Sequence, residues 1–249
     1  ITVGAQPLFF LDYFATSKLE VDQAEAVVRG IAEGCRQAGC ALLGGETAEL
    51  PGFYTPGEYD LAGFAVGVVG RKSILDGKAV RAADAVIGLP SSGLHSNGYS
   101  LARRVLIDSD DPLPLSGSLG DGSLGEALLQ PTRIYADAAK LALQHEVRAM
   151  CHITGGGLVE NLPRVLPEGL GIELDPSSWP RPALFDLIAE RGGVEEAEMR
   201  RTFNLGLGFV LILDAERAAT LLEAFEKEGE EAFLVGRVTE DEGVTFLGD

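Results

Sequence analysis

Cysteine is scarce: Cys35, Cys40 and Cys151 are the only three, an odd number with no C-x-x-C spacing. That excludes a secreted disulfide framework and points to a reducing compartment, so a cytoplasmic location is expected. With only three histidines beside them, no structural zinc set is available. No apolar run reaches membrane-spanning length. Positive charge is also short, with 20 Lys and Arg against 38 Asp and Glu and a net charge of −18. A polyanion of this kind is not drawn to nucleic acid or to anionic membrane surfaces. A small anionic ligand is not excluded, because it needs only a local pocket of donors. The sequence has no G-x-x-x-x-G-K-[ST], no G-x-S-x-G, no H-E-x-x-H and no EF-hand. The start, Ile1-Thr2-Val3-Gly4-Ala5, has neither Met nor a basic region, so it is not a signal peptide. It reads like the middle of a protein, and a preceding N-terminal piece is expected.

What is present is 46% hydrophobic residues, in a length that suits one large domain or two ordinary ones. Pro7 to Phe14 (P-L-F-F-L-D-Y-F) is aromatic and predicts a strand. Asp12 interrupts it, and a carboxylate there faces solvent, a metal or a partner. Asp22 to Ala38 predicts a helix. Asp22 and Glu25 give it a D-x-x-E capping box, Ala24, Val27, Val28, Ile31 and Cys35 form its apolar face, and Gly39 ends it. Cys40 to Leu43 is a short strand running into G-G-E-T-A-E, followed by a long loop marked by Pro51, Gly52, Pro56 and Gly57. Leu61 to Val69 reads as a buried strand whose Gly63 and Gly67 mark bulges or a tightly packed neighbour. Arg71 to Asp84 is polar and is the expected boundary, giving domains at 1–72 and 80–249.

Beyond the boundary the pattern becomes strand, loop, helix. Ala85 to Leu89 is a strand, and Tyr99, Leu101, Ala102, Val105 and Leu106 carry a helix starting near Ser96 to Gly98. Pro112 to Gly125 is an exposed loop. Its G-D-G-S-L-G imitates the dinucleotide fingerprint but has no strand before it, so the match is rejected. Thr132 to His145 predicts an amphipathic helix on Ile134, Ala138, Leu141 and Ala142. Val147 to Ile153 is a strand and Leu158 to Leu166 a helix. Asp175 to Pro182 is a connector in which Trp179 packs. Helices follow at 185–190 and 195–203, a strand at 205–213, a helix at 215–228, and strands at 232–238 and 244–247.

Chemistry concentrates in two glycine loops and one acidic cluster. Leu89 to Leu101 holds two glycines, four serines, Asn97 and His95 between a strand and a helix start. Free amides, the helix dipole and hydroxyl donors make such a loop an anion site, while a well-capped turn is the plainer alternative. His95 is its only side chain able to exchange a proton near neutral pH. Thr154-Gly155-Gly156-Gly157 is a second strand-to-helix loop. His152 just before it suits the core or the same pocket, and His145 suits a helix end. Asp12, Glu46, Glu49, Glu58 and Asp60 are gathered in the first part, where nine acidic residues face three basic ones through Gly70. Acidic groups beside phosphate cradles suit a Mg-nucleotide and a phosphorylated substrate; a hydrated surface is the alternative.

Long blocks carry a more specific signal: P-L-F-F-L-D-Y-F-A-T at Pro7, G-C-A-L-L-G-G-E-T-A-E-L-P-G-F-Y at Gly39 and Y-D-L-A-G-F-A-V-G-V-V at Tyr59. So do S-S-G-L-H-S-N-G-Y-S-L at Ser91, P-T-R-I-Y at Pro131, H-I-T-G-G-G-L-V-E-N-L-P-R-V-L-P at His152 and R-T-F-N-L-G-L-G at Arg201. In order and along the whole chain, they resemble phosphoribosylformylglycinamidine cyclo-ligase, also called aminoimidazole ribonucleotide synthetase.

The resemblance implies an α/β (α+β) protein with two domains. An N-terminal ATP-binding domain joins its strands to a partner's in a homodimer, and a mixed α/β domain carries the glycine loops. It implies ATP-dependent closure of formylglycinamidine ribonucleotide to aminoimidazole ribonucleotide, with ADP and phosphate released, and it implies Mg²⁺, with the need for K⁺ open. Asp12, Glu46 and Thr47 become the nucleotide residues, Asp12 and Glu46 the metal ligands, and His95 and Asp12 the catalytic residues. Ser91, Ser92, Gly93, Ser96, Asn97 and Gly98, with Thr154, Gly155, Gly156 and Gly157, become the phosphate or substrate cradle. The family's further N-terminal glycine- and lysine-bearing segment is not in this sequence. Two alternatives are another superfamily enzyme, such as selenophosphate synthetase or thiamine-phosphate kinase, and an inactive dimeric scaffold.

Overall fold

The computed structural model describes all 249 residues. They form two compact units, Ile1, Val3–Ile74 and Ile134–Lys140 in the first and Thr2, Leu75–Arg133 and Leu141–Asp249 in the second. The short segment 134–140, expected with the second domain, therefore groups with the first.

The first unit is built on β1 (Gln6–Thr16), the aromatic run. Parallel β2 (Ala41–Glu49) and antiparallel β3 (Tyr59–Val68) flank it, in the order β2-β1-β3. The expected short strand at Cys40 thus continues through G-G-E-T-A-E rather than ending before it, with a bulge at Leu43 letting the ladder resume. Gly63 and Gly67 behave as their sequence suggests. A Cβ on Gly63 would overlap the Phe10 ring, and the β1–β3 register slips opposite Gly67. β3 is not buried, however: every one of its residues is exposed within this chain. An apolar run reads as buried whatever is to cover it, and nothing in this chain covers this one.

α1 (Val21–Gln37) follows β1. Its expected capping box does not form, because the N-cap is Glu20 and no side chain caps it. The C-terminal signal does hold. Gly39 takes a φ of 65°, and Cys40 N–H returns to Cys35 C=O at 3.0 Å while Gly39 N–H returns to Arg36 C=O, a Schellman ending. Only Cys35 of the apolar face is fully buried.

The second unit centres on a six-stranded sheet, β11-β8-β10-β4-β9-β7. Its strands are β4 (Ala85–Pro90), β7 (Ala149–His152), β8 (Gly171–Leu174), β9 (Leu207–Leu213), β10 (Phe233–Thr239) and β11 (Gly243–Phe246). β9 is buried at all seven positions, as a strand covered on both faces requires. One core joins Val86, Ile172, Val210 and Val235 to the Leu158–Leu162 segment. Another gathers α2 (Tyr99–Leu106), α3 (Leu124–Leu129), α6 (Ala183–Gly192) and α7 (Glu196–Thr202) around Leu106, Phe185 and Phe203. α8 (Ala215–Lys227) buries Ala218, Leu221 and Phe225. Trp179 packs as expected, donating Nε1–H to Leu205 C=O at 2.9 Å.

Three expectations change. The 112–125 loop contains a hairpin, β5 (Ser118–Leu119) and β6 (Gly122–Ser123), and its end starts α3 through a Ser123–Glu126 capping box. A two-residue strand therefore precedes G-D-G-S-L-G, but the motif is a hairpin turn rather than a strand-to-helix crossing, and its rejection stands. The helix expected at 132–145 is α4 (Ala136–Leu143), because Thr132 and Arg133 hydrogen-bond to the His95 loop instead of starting the helix. The helix expected at 158–166 is α5 (Gly157–Asn161) followed by a 3-10 turn at Leu162–Val165, where Pro163 cannot donate to an α ladder.

Candidate active site

β4 and β7 both run antiparallel to β9, one on each side of it. They are therefore parallel to each other and end at the same sheet edge, the edge where β9 begins. The two glycine loops leave from those ends, so topology brings them together. Their closeness is direct. The His95 and His152 rings have centroids 6.4 Å apart, and Asn97 Oδ1 lies 3.6 Å from where a Cβ on Gly155 would stand. The opposite edge is pinned by Arg148, which donates to buried Asp84 before β4 and, at 2.8 Å, to Asp214 after β9.

The first loop is more tightly tied than its composition suggests. Ser91 N–H donates to Gly206 C=O, and Ser91 Oγ–H donates to Asn204 Oδ1 at 2.9 Å. Ser92 N–H donates to His95 Nε2 at 2.9 Å, and Ser92 Oγ–H to Pro131 C=O at 2.6 Å. Asn97 spends its side-chain N–H on His95 C=O at 2.7 Å. Ser91, Ser92 and Asn97 therefore build the loop and do not offer these donors outward. No hydrogen bond of the chain engages the amides of Gly93, Ser96 and Gly98. His95 and Ser96 both hold positive φ, 54° and 61°, a strain that persists only where surroundings enforce it.

His95 lies inside the loop rather than on its surface. It is 2% exposed, and burial, with His152 and Arg133 adding to it, pushes its pKa down to about 4. It is neutral at pH 7. With Nε2 accepting from Ser92, its proton sits on Nδ1. In this neutral form the imidazole also braces the loop through Ser92. His152, half-buried at the end of β7, is likewise held below its usual pKa by burial.

The second loop is organised by Asn161, at the end of α5. Its Nδ2 donates to the carbonyls of Thr154, Gly155 and Gly157 at 3.3, 3.2 and 2.8 Å. Asn204 does the corresponding work in the first loop, donating to Gly93 C=O at 2.8 Å. Neither asparagine stood out in the sequence. The available signal was a carboxamide directly before a leucine in N-L-P and N-L-G, at the edge of an apolar run where a buried polar group is hydrogen-bonded.

In the first unit, Asp12 lies on central β1 opposite Gly45, and a Cβ there would overlap its Oδ1. Strand alternation puts Asp12, Gly45 and Thr47 on one face and Tyr13 and Glu46 on the other. Asp12 and Glu46, expected to share a metal, do not meet within this chain. Glu49 accepts from Leu19 N–H at 2.6 Å and Asp60 from Leu61 N–H at 2.9 Å. No group of three His, Cys, Asp or Glu is placed to hold a metal ion. Mg²⁺ bound with a nucleotide needs only one or two carboxylates besides phosphate oxygens and water, and Asp12 alone fits that requirement.

Two family profiles match, AIR synthase related protein, N-terminal domain, over residues 1–69 and its C-terminal domain over 81–249. Phosphoribosylformylglycinamidine cyclo-ligase of Sorangium cellulosum is 62% identical over 99% of this chain and 72% of its own length. That of Myxococcus xanthus is 57% identical over 98% and 71%. Among solved structures, the hydrogenase maturation protein HypE in complex with ATP is 21% identical with a TM-score of 0.68, covering 96% of this chain and 67% of its own; it shares the fold. With both profiles matched in order and this identity along nearly every residue, the chain belongs to the phosphoribosylformylglycinamidine cyclo-ligase family.

Proposed function

We infer that this chain is a ligase of purine biosynthesis. It uses ATP to close formylglycinamidine ribonucleotide into aminoimidazole ribonucleotide, releasing ADP and phosphate. The observation that carries the reading is the 62% identity over 99% of the chain to a cyclo-ligase, joined to two glycine loops at one sheet edge. The chemistry suits that edge. An amide oxygen is a poor leaving group. Transfer of the γ-phosphoryl group to it gives an iminophosphate, a nitrogen of the same molecule attacks the activated carbon, and phosphate departs. Nucleophile and electrophile are already joined, so positioning and charge stabilisation are what the protein must add.

The amides of Gly93, Ser96, Gly98, Gly155 and Gly156 would take the phosphate oxygens, with Ser96 Oγ at the margin, while the Thr154 hydroxyl is spent on Asn161. Ser91, Ser92, Asn97 and neutral His95 hold that backbone in place. Asp12, with Thr47 on its face, would hold the Mg-nucleotide; the metal supplies charge neutralisation when bound. Glu46 faces the other side and is assigned no ligand role, and no residues are assigned to K⁺. The open face of β3 suits a second copy of the chain, giving a homodimer.

Phosphate release by the full-length enzyme tests the reading. Release that depends on formylglycinamidine ribonucleotide supports it. Release without that substrate points to another superfamily enzyme, and no release points to a scaffold. Asp12→Asn should raise the KM for ATP at least about tenfold, the loss of one charged contact.

A further inference from the structure

We infer that Asn161 is a positioning residue of the cyclisation site, setting the direction of the amides in the Thr154–Gly157 loop. The inference rests on the reading that this loop faces a phosphate oxyanion. A trans peptide is planar, with its C=O and the following N–H pointing opposite ways. Asn161 draws in the carbonyls of Thr154, Gly155 and Gly157. The amides of Gly155, Gly156 and Leu158 must then point away from it. Hydrogen bonds from one amide nitrogen, its two hydrogens shared among three carbonyls, thereby turn three backbone donors outward.

The carboxamide is itself held from flipping. Its Oδ1 accepts from Thr154 Oγ–H at 3.1 Å and from Arg164 Nη1 at 3.2 Å. Two donors at one end leave only the nitrogen to meet the carbonyls. Asn161 is 3% exposed, so water does not take its place. Glycine is required around it. Gly156 and Gly157 have φ of 97° and 56°, and a Cβ on Gly157 would overlap Arg200 C=O. The loop therefore has the freedom to face either way, and Asn161 removes that freedom.

The outward amides suit a phosphate monoester dianion, either the substrate's own 5′-phosphate or the phosphoryl group in transfer. Asn161→Asp tests the assignment in the full-length enzyme. It keeps shape and the acceptor for Thr154, but turns an oxygen towards three carbonyls. Arg164→Met is a milder companion that loosens only the Oδ1 end. Backbone ¹⁵N–¹H shifts of Gly155 and Gly156 are followed during titration with inorganic phosphate, beside steady-state kinetics.

Wild type should show saturable shifts at both glycines, and Asn161→Asp should lose them while staying folded by circular dichroism. A 5′-phosphate occupant predicts a rise of tenfold or more in the KM for the ribonucleotide, with kcat held. A phosphoryl group in transfer predicts a comparable fall in kcat, with both KM values held. Arg164→Met should move the same parameter less. If the wild-type glycines ignore phosphate, the oxyanion reading of the loop fails. If wild type and Asn161→Asp respond alike, only the Asn161 assignment fails. Should Asn161→Asp not fold, Arg164→Met decides alone, and unchanged shifts and kinetics in it overturn the assignment.

Discussion

The two sheets of this chain differ in how much of their surroundings the chain itself provides. The six-stranded sheet has a dry centre, with β4 and β9 buried almost throughout, while β10 and β11 keep exposed positions. The three-stranded sheet has a central strand of mixed burial and a β3 exposed along its full length, with Leu61, Phe64, Val66 and Val68 open. Both contain an apolar run, Leu61 to Val68 in β3 and Leu207 to Leu213 in β9, each with glycine among Leu, Val and Phe. Apolar content therefore reports that a surface is to be covered, and not whether the cover belongs to the same molecule.

That contrast breaks if substitutions in the two sheets cost alike. The largest loss is expected at the pinned edge. Arg148→Met leaves Asp84 buried without its cation and should cost about 3–5 kcal/mol in urea unfolding. Leu211→Ala, in fully buried β9, should cost about 2–5 kcal/mol, because it opens a cavity that the packed sheet cannot close.

The pH dependence of the second unit sharpens the comparison further. His95 has an ordinary pKa of 6.5 unfolded and about 4 in the fold. Below pH 6.5 the unfolded chain takes up a proton that the folded one refuses. This stability is complete above pH 6.5 and is lost as pH falls towards 4, amounting to about 3 kcal/mol. Unfolding measured at steps between those limits should show a steeper slope in wild type than in His95→Asn. Equal slopes would mean that His95 is not buried neutral.

The smallest effect on folding is expected on β3. Phe64→Glu, at a side chain 63% exposed, should change the stability of the isolated chain by no more than about 0.5 kcal/mol. It should nonetheless abolish the proposed homodimer in sedimentation velocity. A large folding loss, or dimers that persist, would remove the distinction between the two sheets.

Much of the fold was legible because apolar runs and breakers are local. β1, β4, β9 and α8 lie within two residues of their sequence-based bounds, and the Gly39 ending of α1 was readable from the glycine. The site was legible as a set of loops and not as a set of roles. Ser91, Ser92 and Asn97 look like outward donors in sequence, yet they are engaged by Asn204, Pro131 and His95, partners up to 113 residues away. His95 is buried, and the His152 ring and the Arg133 amide that meet it come from positions 57 and 38 residues on, which no pattern around position 95 records. Asp12 and Glu46 were grouped by charge, whereas strand alternation separates them.

The placement of β9 between β4 and β7 acts as a ruler. Two hydrogen-bonded strand spacings, about 10 Å in all, separate the strand ends that carry the two cradles, and neither end can drift without tearing a ladder. Loop residues can then be exchanged, lengthened or recharged while the gap between the anchoring points stays constant. The fold that carries this spacing is shared with HypE at 21% identity.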